Sequence, residues 1–173
     1  MSAFLSGFVS IIGSPNVGKS TLMNRFVGQK VSIVSSRAQT TRNRVMGVLT
    51  RPEYQIVFLD TPGVTTPQNR LGEYMLKIAY DSLNEVEAVL FLADGEKGIR
   101  EKDSALLQKL ASAKAPVLAA INKIDTAKAE TVAAMHEQLR AMSFLSSIVA
   151  ISAETGEGVK ELEALLASHL VEG

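Results

Sequence analysis

The sequence predicts an α/β fold in three layers, with a six-stranded, mainly parallel sheet that has one antiparallel edge strand and helices on both faces. Short β-branched runs alternate along the chain with helix-length amphipathic stretches. Most of the runs are apolar on both faces, which is typical of parallel strands covered by helices on each side. The 173 residues show no break in composition, so we expect one domain spanning residues 1–173.

Six apolar runs are the predicted strands, and they comprise residues 8–12, 45–49, 56–59, 88–92, 117–121 and 148–151. Only a short connection containing Arg51, Pro52 and Glu53 joins the second run to the third. A parallel crossover needs about a dozen residues or more. These two runs are therefore predicted to form an antiparallel hairpin at one edge of the sheet.

Apolar residues recur at helical spacing in several of the segments between the strands. One helix is predicted from Thr21 to Val27, and further apolar stripes occupy residues 71–83, 132–142 and 159–170. Ligands of open α/β sheets bind beyond the carboxyl ends of the strands. The loops that follow the strands are therefore where binding residues are expected.

Composition excludes several classes of function. The 18 basic and 18 acidic residues balance, so no net field attracts nucleic acid or an anionic membrane. No cysteine is present, which excludes disulfides, thiolate zinc ligands and a cysteine nucleophile. The N-terminus lacks the features of a secretory signal, and no transmembrane segment is expected. We expect a cytoplasmic monomer, with peripheral contact at the inner membrane as an open alternative.

The segment after the first strand has the spacing of a phosphate-binding loop and opens a helix. Backbone N–H groups at a helix N-terminus favour an anion, so this loop is expected to cradle the phosphates of a nucleotide. Lys19 is expected to reach the β- and γ-phosphates, and the Ser20 hydroxyl to ligate Mg²⁺. The predicted fold is thus of the P-loop NTPase type. The nucleotide-binding residues predicted here are Gly13, Ser14, Pro15, Asn16, Val17, Gly18, Lys19, Ser20 and Thr21.

A second segment, Asn122, Lys123, Ile124 and Asp125, follows the fifth predicted strand and indicates recognition of guanine. One carboxylate, that of Asp125, can accept from both the N1–H and the amino group of guanine, whereas adenine has no matching pair of donors. Asn122 is expected to brace the neighbouring loops, and the Lys123 stem to lie along the base. The loop of Ser152, Ala153 and Glu154 is expected to present backbone N–H groups to the guanine oxygen.

The third part of the predicted site comes after the strand at residues 56–59. Asp60 there is expected to hold Mg²⁺ through water, and the Gly63 N–H to sense the γ-phosphate. Between the first helix and the edge hairpin, a threonine hydroxyl could close over Mg²⁺, and we favour Thr41 over Thr40. The alternative for both threonines is an ordinary polar loop.

Taken together, these residues resemble the Era family of bacterial GTPases, in the translation-factor-related (TRAFAC) class of phosphate-loop proteins. The resemblance covers nearly the whole chain, and its more specific marks are Pro15-Asn16, Ala38-Gln39-Thr40-Thr41-Arg42, Asp60-Thr61-Pro62-Gly63 and Ser152-Ala153-Glu154-Thr155-Gly156. It implies a GTP-hydrolysing switch that binds GTP and GDP with Mg²⁺. It also implies a role in assembly of the small ribosomal subunit on 16S rRNA, through an RNA-binding KH domain that this chain does not contain.

The resemblance also bears on hydrolysis, for which Lys19, Thr41, Gly63 and Asn16 are the predicted catalytic residues. In Ras-like switches a glutamine after the Asp-x-x-Gly turn orients the attacking water, and here that position is Val64. Intrinsic hydrolysis is therefore predicted to be slow. Asn16 matches the position that helps to hold K⁺ in related GTPases, where the ion replaces an arginine finger; the alternative is a turn residue after proline.

Three other functions remain open at this stage. A small-molecule kinase could use the same phosphate loop, although it would not need Asn122 and Asp125 in their observed places. A related GTPase of tRNA modification or large-subunit assembly would share most of the motifs, and a slow GTP-binding assembly module would share all of them.

Overall fold

The structure, a computed structural model of the chain, describes residues 3–27, 44–60 and 85–173. Seven strands and four helices lie in these ranges. In chain order they are β1 Leu5–Ile12, α1 Lys19–Val27, β2 Arg44–Thr50, β3 Tyr54–Asp60, β4 Ala88–Asp94, α2 Glu101–Leu110, β5 Val117–Asn122, α3 Ala129–Arg140, β6 Leu145–Ala150, α4 Val159–Ala167 and β7 Val171–Glu172. The predicted helix at residues 71–83 lies outside the described residues. Within the described ranges, no helix is long and apolar enough to cross a membrane.

The sheet confirms the predicted topology. Its strand order is β2-β3-β1-β4-β5-β6, and the neighbours β3-β1, β1-β4, β4-β5 and β5-β6 are all parallel. Strand β2 pairs with β3 in the antiparallel sense and forms the edge, as the short connection between them requires. The predicted α/β fold with a mainly parallel sheet is therefore correct.

Within the described residues the sheet has seven strands, one more than the six predicted, because the sequence pattern does not indicate β7. Strand β4 pairs with β1 only from Val9 onward, so the side of β1 at Leu5 and Ser6 has no partner from β4. Strand β7 pairs there in the antiparallel sense, with Leu5 opposite Glu172 and Ser6 opposite Val171. Two residues are too few to show an alternating pattern, which explains why this strand was not predicted.

Two hydrophobic clusters fill the space on the two faces of the sheet. One joins β1 and β4 to apolar side chains of α1 and α4, including Leu22, Phe26 and Leu162. The other joins β4 and β5 to α2 and α3, through residues such as Leu107 and Met135. Strands β4 and β5 are buried along their whole length. Helices on both faces bury these central strands, and the carboxyl ends of the strands carry the candidate site.

Helix α2 was not predicted, although it contributes to the second cluster. Its buried positions are Asp103, Leu106, Leu107 and Leu110, at the spacing of one helix face. The first buried position of this face is the carboxylate Asp103, so the apolar periodicity does not extend into the first turn. Asp103 contacts Ser14 of the phosphate loop.

A polar clasp joins the β2–β3 hairpin to helix α4. Arg51 donates two hydrogen bonds to the Glu163 carboxylate, each 2.9 Å long, and the Tyr54 hydroxyl donates to the same carboxylate. The hydrogen bonds from Arg51 hold the pKa of Glu163 below its usual range. Burial, followed by the hydrogen bond to Glu163, raises the pKa of Tyr54 to about 12. The clasp is therefore formed at neutral pH with Glu163 ionised and Tyr54 neutral.

Candidate functional site: a nucleotide-binding edge

The five parallel strands β3, β1, β4, β5 and β6 all end on the same side of the molecule. Ile11 of β1 lies beside Asp60 of β3, and Asp94 of β4 lies beside Asn122 of β5. The phosphate loop therefore starts next to Asp60, and the Asn122 segment starts next to Asp94. The structure thus brings together predicted residues that lie far apart in the sequence.

The phosphate loop has the backbone shape that its sequence predicts. Helix α1 begins at Lys19, directly after Gly18, and the Leu22 N–H donates to the Gly18 carbonyl at 3.0 Å. The Lys19 ammonium lies back over the loop and donates to the Gly13 carbonyl at 3.2 Å. A positive charge therefore stands at the mouth of the loop, together with the backbone donors of the helix N-terminus.

A buried contact that the sequence did not reveal fixes the start of the loop. The Ser14 hydroxyl donates to Asp103 Oδ1 at 2.6 Å, and both residues are buried. Asp103 Oδ2 accepts from the Arg100 backbone N–H at 2.9 Å and from Arg100 Nε at 3.3 Å. Helix α2 thus anchors Ser14 through a carboxylate whose oxygens are all hydrogen-bonded, as a buried charge requires.

Asn122 braces two loops, as predicted. The residue is 2% exposed, and its side-chain Nδ2 donates to the Val17 carbonyl at 2.9 Å. Its Oδ1 accepts from the Ala153 N–H, also at 2.9 Å. One amide side chain therefore joins the phosphate loop to the loop at residues 152–154 and satisfies a buried backbone group on each side.

Lys123 lies across the site and contacts the phosphate loop. Its ammonium donates to the Asn16 carbonyl at 3.0 Å and to Asp94 Oδ2 at 3.0 Å. Asn16 and Lys123 both have a φ of 68°, and they are the two non-glycine residues with positive φ in the described ranges. Strained backbone of this kind is concentrated at functional sites. The left-handed backbone of Asn16 also supports its role as a turn residue.

Asp94 is a second residue that sequence reasoning missed. It is buried, and its Oδ1 accepts from the Glu96 N–H at 2.9 Å while its Oδ2 holds Lys123. The signal was available, because Asp94 is a carboxylate at the end of a wholly apolar strand, as Asp60 is at the end of β3. Asp94 positions the lysine that the motif contributes.

The Asp125 side chain is exposed at the site and oriented by a neighbour. The buried Ser152 hydroxyl donates to Asp125 Oδ1 at 2.9 Å and accepts from the Thr155 N–H at 3.1 Å. A carboxylate held in this way keeps acceptor capacity for an external pair of donors. The loop at residues 152–154 and the motif at 122–125 therefore form one unit.

Two of the predicted magnesium ligands, Ser20 and Asp60, lie in the described residues. Ser20 is exposed in the first turn of α1, and Asp60 ends β3 beside the phosphate loop. A hydroxyl and a carboxylate are hard oxygen donors, which suit Mg²⁺. In the described part of the chain no group of three or more His, Cys, Asp or Glu side chains is placed to hold a metal. Thr40, Thr41, Gly63 and Val64 lie outside the described residues.

Fold and site together define a phosphate-loop nucleotide-binding domain with a guanine-type base motif. Residues 8–123 match the family of 50S ribosome-binding GTPases, and the chain belongs to this family. It is 48% identical over 170 residues to GTPase Era of Clostridium acetobutylicum, covering 98% of this chain and 57% of that protein. It is 42% identical to GTPase Era of Staphylococcus epidermidis, covering 100% of this chain and 58% of the relative.

A solved structure agrees with these relatives. The crystal structure of Era in complex with MgGDPNP and nucleotides 1506–1542 of 16S ribosomal RNA superimposes with a TM-score of 0.81 at 42% identity. The match covers 98% of this chain and 58% of that one. The predicted resemblance to the Era family is confirmed, and the chain spans a little over half the length of these relatives.

Proposed function

We propose that this chain is the guanine-nucleotide-binding and GTP-hydrolysing switch domain of an Era-type protein. The observation that carries the proposal is the double hydrogen bond of Asn122, to Val17 in the phosphate loop and to Ala153 in the loop at 152–154. It joins a phosphate-binding half to a base-binding half, with Asp125 at the outer edge. The phosphates of GTP suit the first half, and its guanine base suits the second.

Each half has a defined role in this proposal. The residues from Gly13 to Thr21 cradle the phosphates, with Lys19 neutralising their charge. Asp125 accepts from the guanine N1–H and amino group, and the loop at 152–154 donates to the guanine oxygen. Ser20, Asp60 and Thr41 would hold Mg²⁺, which supplies positive charge to the phosphates when it is bound.

The proposal is tested by comparing nucleotides and partners. The chain is expected to bind GDP in marked preference to ADP, because adenine would leave the Asp125 carboxylate unpaired. GTP hydrolysis by the chain alone is expected to be slow, and single-turnover rates with small ribosomal subunits, with large subunits as control, test for a partner that accelerates it. Equal affinity for GDP and ADP would refute the proposed function, whereas GDP preference without turnover under any condition would leave only a binding module.

A role in small-subunit assembly is the biological setting we infer. The Era structure bound to 16S rRNA supports it, as do the Era relatives. Such a role would place the chain in the cytoplasm, with RNA contacted chiefly by a KH domain. Contact with the inner membrane and a monomeric state remain predictions, as do the alternative roles in tRNA modification or large-subunit assembly.

Hydrolysis is proposed to depend on K⁺ at Asn16. Val64 has no polar group to orient water, so another group must position the attacking water or neutralise the charge that develops on the phosphates. GTP turnover in potassium chloride is expected to be at least about ten times as fast as in sodium chloride at equal ionic strength. Asn16→Ala should abolish the difference, while Asn24→Ala, an exposed asparagine on α1, should keep it. Equal rates in the two salts, or a difference that survives Asn16→Ala, would assign Asn16 to the turn alone.

A further inference from the structure

Arg25 on helix α1 holds the loop that faces the base. Its Nε donates to the Ala153 carbonyl at 3.0 Å, and its Nη2 donates to the Glu154 carbonyl. A guanidinium can make two such bonds at once because its donors lie in one rigid plane. Two successive peptide carbonyls are thereby fixed by a side chain that belongs to the phosphate-binding helix.

The same loop is held from its other side by Asn122. Because Asn122 Oδ1 accepts from the Ala153 N–H, both the amide and the carbonyl of Ala153 have fixed partners. The described chain contains no cis peptide bonds. In a planar trans peptide the N–H points opposite to the C=O. The bond from Arg25 to the Ala153 carbonyl therefore sets the direction of the Glu154 N–H.

The other amides of this loop already have acceptors. The Ser152 N–H donates to the Glu157 carbonyl at 2.9 Å, the Ala153 N–H to Asn122, and the Thr155 N–H to the Ser152 hydroxyl. Within the described residues, the Glu154 N–H differs from these amides because it has no hydrogen-bond acceptor. The donor for an oxygen of the ligand is thus the one that Arg25 orients.

The loop also provides room for the guanidinium. Gly156 has a φ of +94°, and a Cβ at this position would lie 3.2 Å from Arg25 Nη1. Glycine therefore allows both the turn and the close approach of the arginine. Arg25 and Gly156 fit together as parts of one clamp.

We propose that Arg25 is a specificity-determining positioning residue, which aims the Glu154 N–H at the oxygen on C6 of guanine. This inference rests on the proposed guanine-nucleotide function and adds to it a residue outside every motif. Arg25 acts through the loop and does not itself contact the base. Its removal should therefore weaken recognition of one ligand atom more than binding of the phosphates.

The test pairs the protein side chain with single atoms of the ligand. Dissociation constants are measured for GDP, for IDP, which lacks only the amino group, and for 6-thio-GDP, in which a weakly accepting sulfur replaces the oxygen. Arg25→Ala is expected to weaken GDP and IDP by about tenfold each, the effect of about one hydrogen bond, and 6-thio-GDP by less than about threefold. Arg25→Lys, which can reach one carbonyl, should fall between Arg25→Ala and the unaltered chain.

The control is Arg140→Ala, which removes an exposed arginine of α3 that pairs with Glu137. It should change none of the three constants. Equal losses of affinity for all three nucleotides with Arg25→Ala would overturn the inference, as would no loss at all. Thermal unfolding of Arg25→Lys checks that the domain is folded. Failure of the proposed function is separate, because it would appear as equal GDP and ADP affinity in the unaltered chain.

Discussion

Replacing Asp125 with asparagine is expected to lower GDP affinity on the order of a thousandfold or more and to create affinity for xanthosine diphosphate. Xanthine keeps the N1–H of guanine but has a carbonyl in place of the amino group. An asparagine amide offers one acceptor and one donor, which match that edge, whereas the aspartate offers acceptors only. Dissociation constants for GDP and xanthosine diphosphate, measured with both proteins, give the result directly.

The structure explains why this substitution should change the base preference and not the fold. Asp125 is exposed, and its Oδ1 accepts from the Ser152 hydroxyl, a bond that the asparagine oxygen can also accept. Glu137→Gln is the matched control, because it also removes one exposed carboxylate, which is 72% exposed and lies outside the motif. If Asp125→Asn binds GDP as tightly as the unaltered chain, Asp125 does not contact the base.

The motif residues could be predicted because binding phosphates and recognising guanine each restrict the residue type that can be used. A phosphate loop needs glycine and lysine at fixed spacing, and pairing two adjacent donors of guanine needs a carboxylate. Asn122, Lys123 and Asp125 consequently lie where the sequence placed them, at the end of β5. The strands were predicted for a similar reason, because burial on both faces leaves continuous apolar runs.

The missed residues act through tertiary contacts that no local pattern encodes. Asp103 meets Ser14 across 89 residues of sequence, and Arg25 meets Ala153 across 128. Neither Asp103 nor Arg25 belongs to a motif, and a charge on a helix is more often a solvated surface residue. Such contacts become visible only when the sheet brings the strand ends together. The roles of Thr41 and Gly63 stay predictions, because both lie outside the described residues.

The Gly18→Ala variant is expected to lose about a hundredfold or more in GDP affinity. A Cβ at residue 18 would lie 2.3 Å from Asn122 Nδ2, so the amide must leave the Val17 carbonyl that it now contacts. Its other bond, to the Ala153 N–H, belongs to the same side chain and would be disturbed with it. Losing two buried hydrogen bonds at about 1–3 kcal/mol each is sufficient for such an effect. Affinity for GDP and the free energy of unfolding are the two measurements.

Gly98→Ala separates the clash from the backbone strain. Gly98 also has a positive φ, +76° against +102° for Gly18, but among the described residues a Cβ there would have a single neighbour within 4 Å, Thr131 Cγ2 at 3.9 Å. Both variants should lose about 1–2 kcal/mol of stability from the left-handed conformation, and only Gly18→Ala should also lose nucleotide binding. Equal GDP affinities in the two variants would mean that the Asn122 brace does not hold the two halves of the site together. The brace is the feature on which the proposed function depends, and this pair of glycines tests it without removing a group that contacts the base.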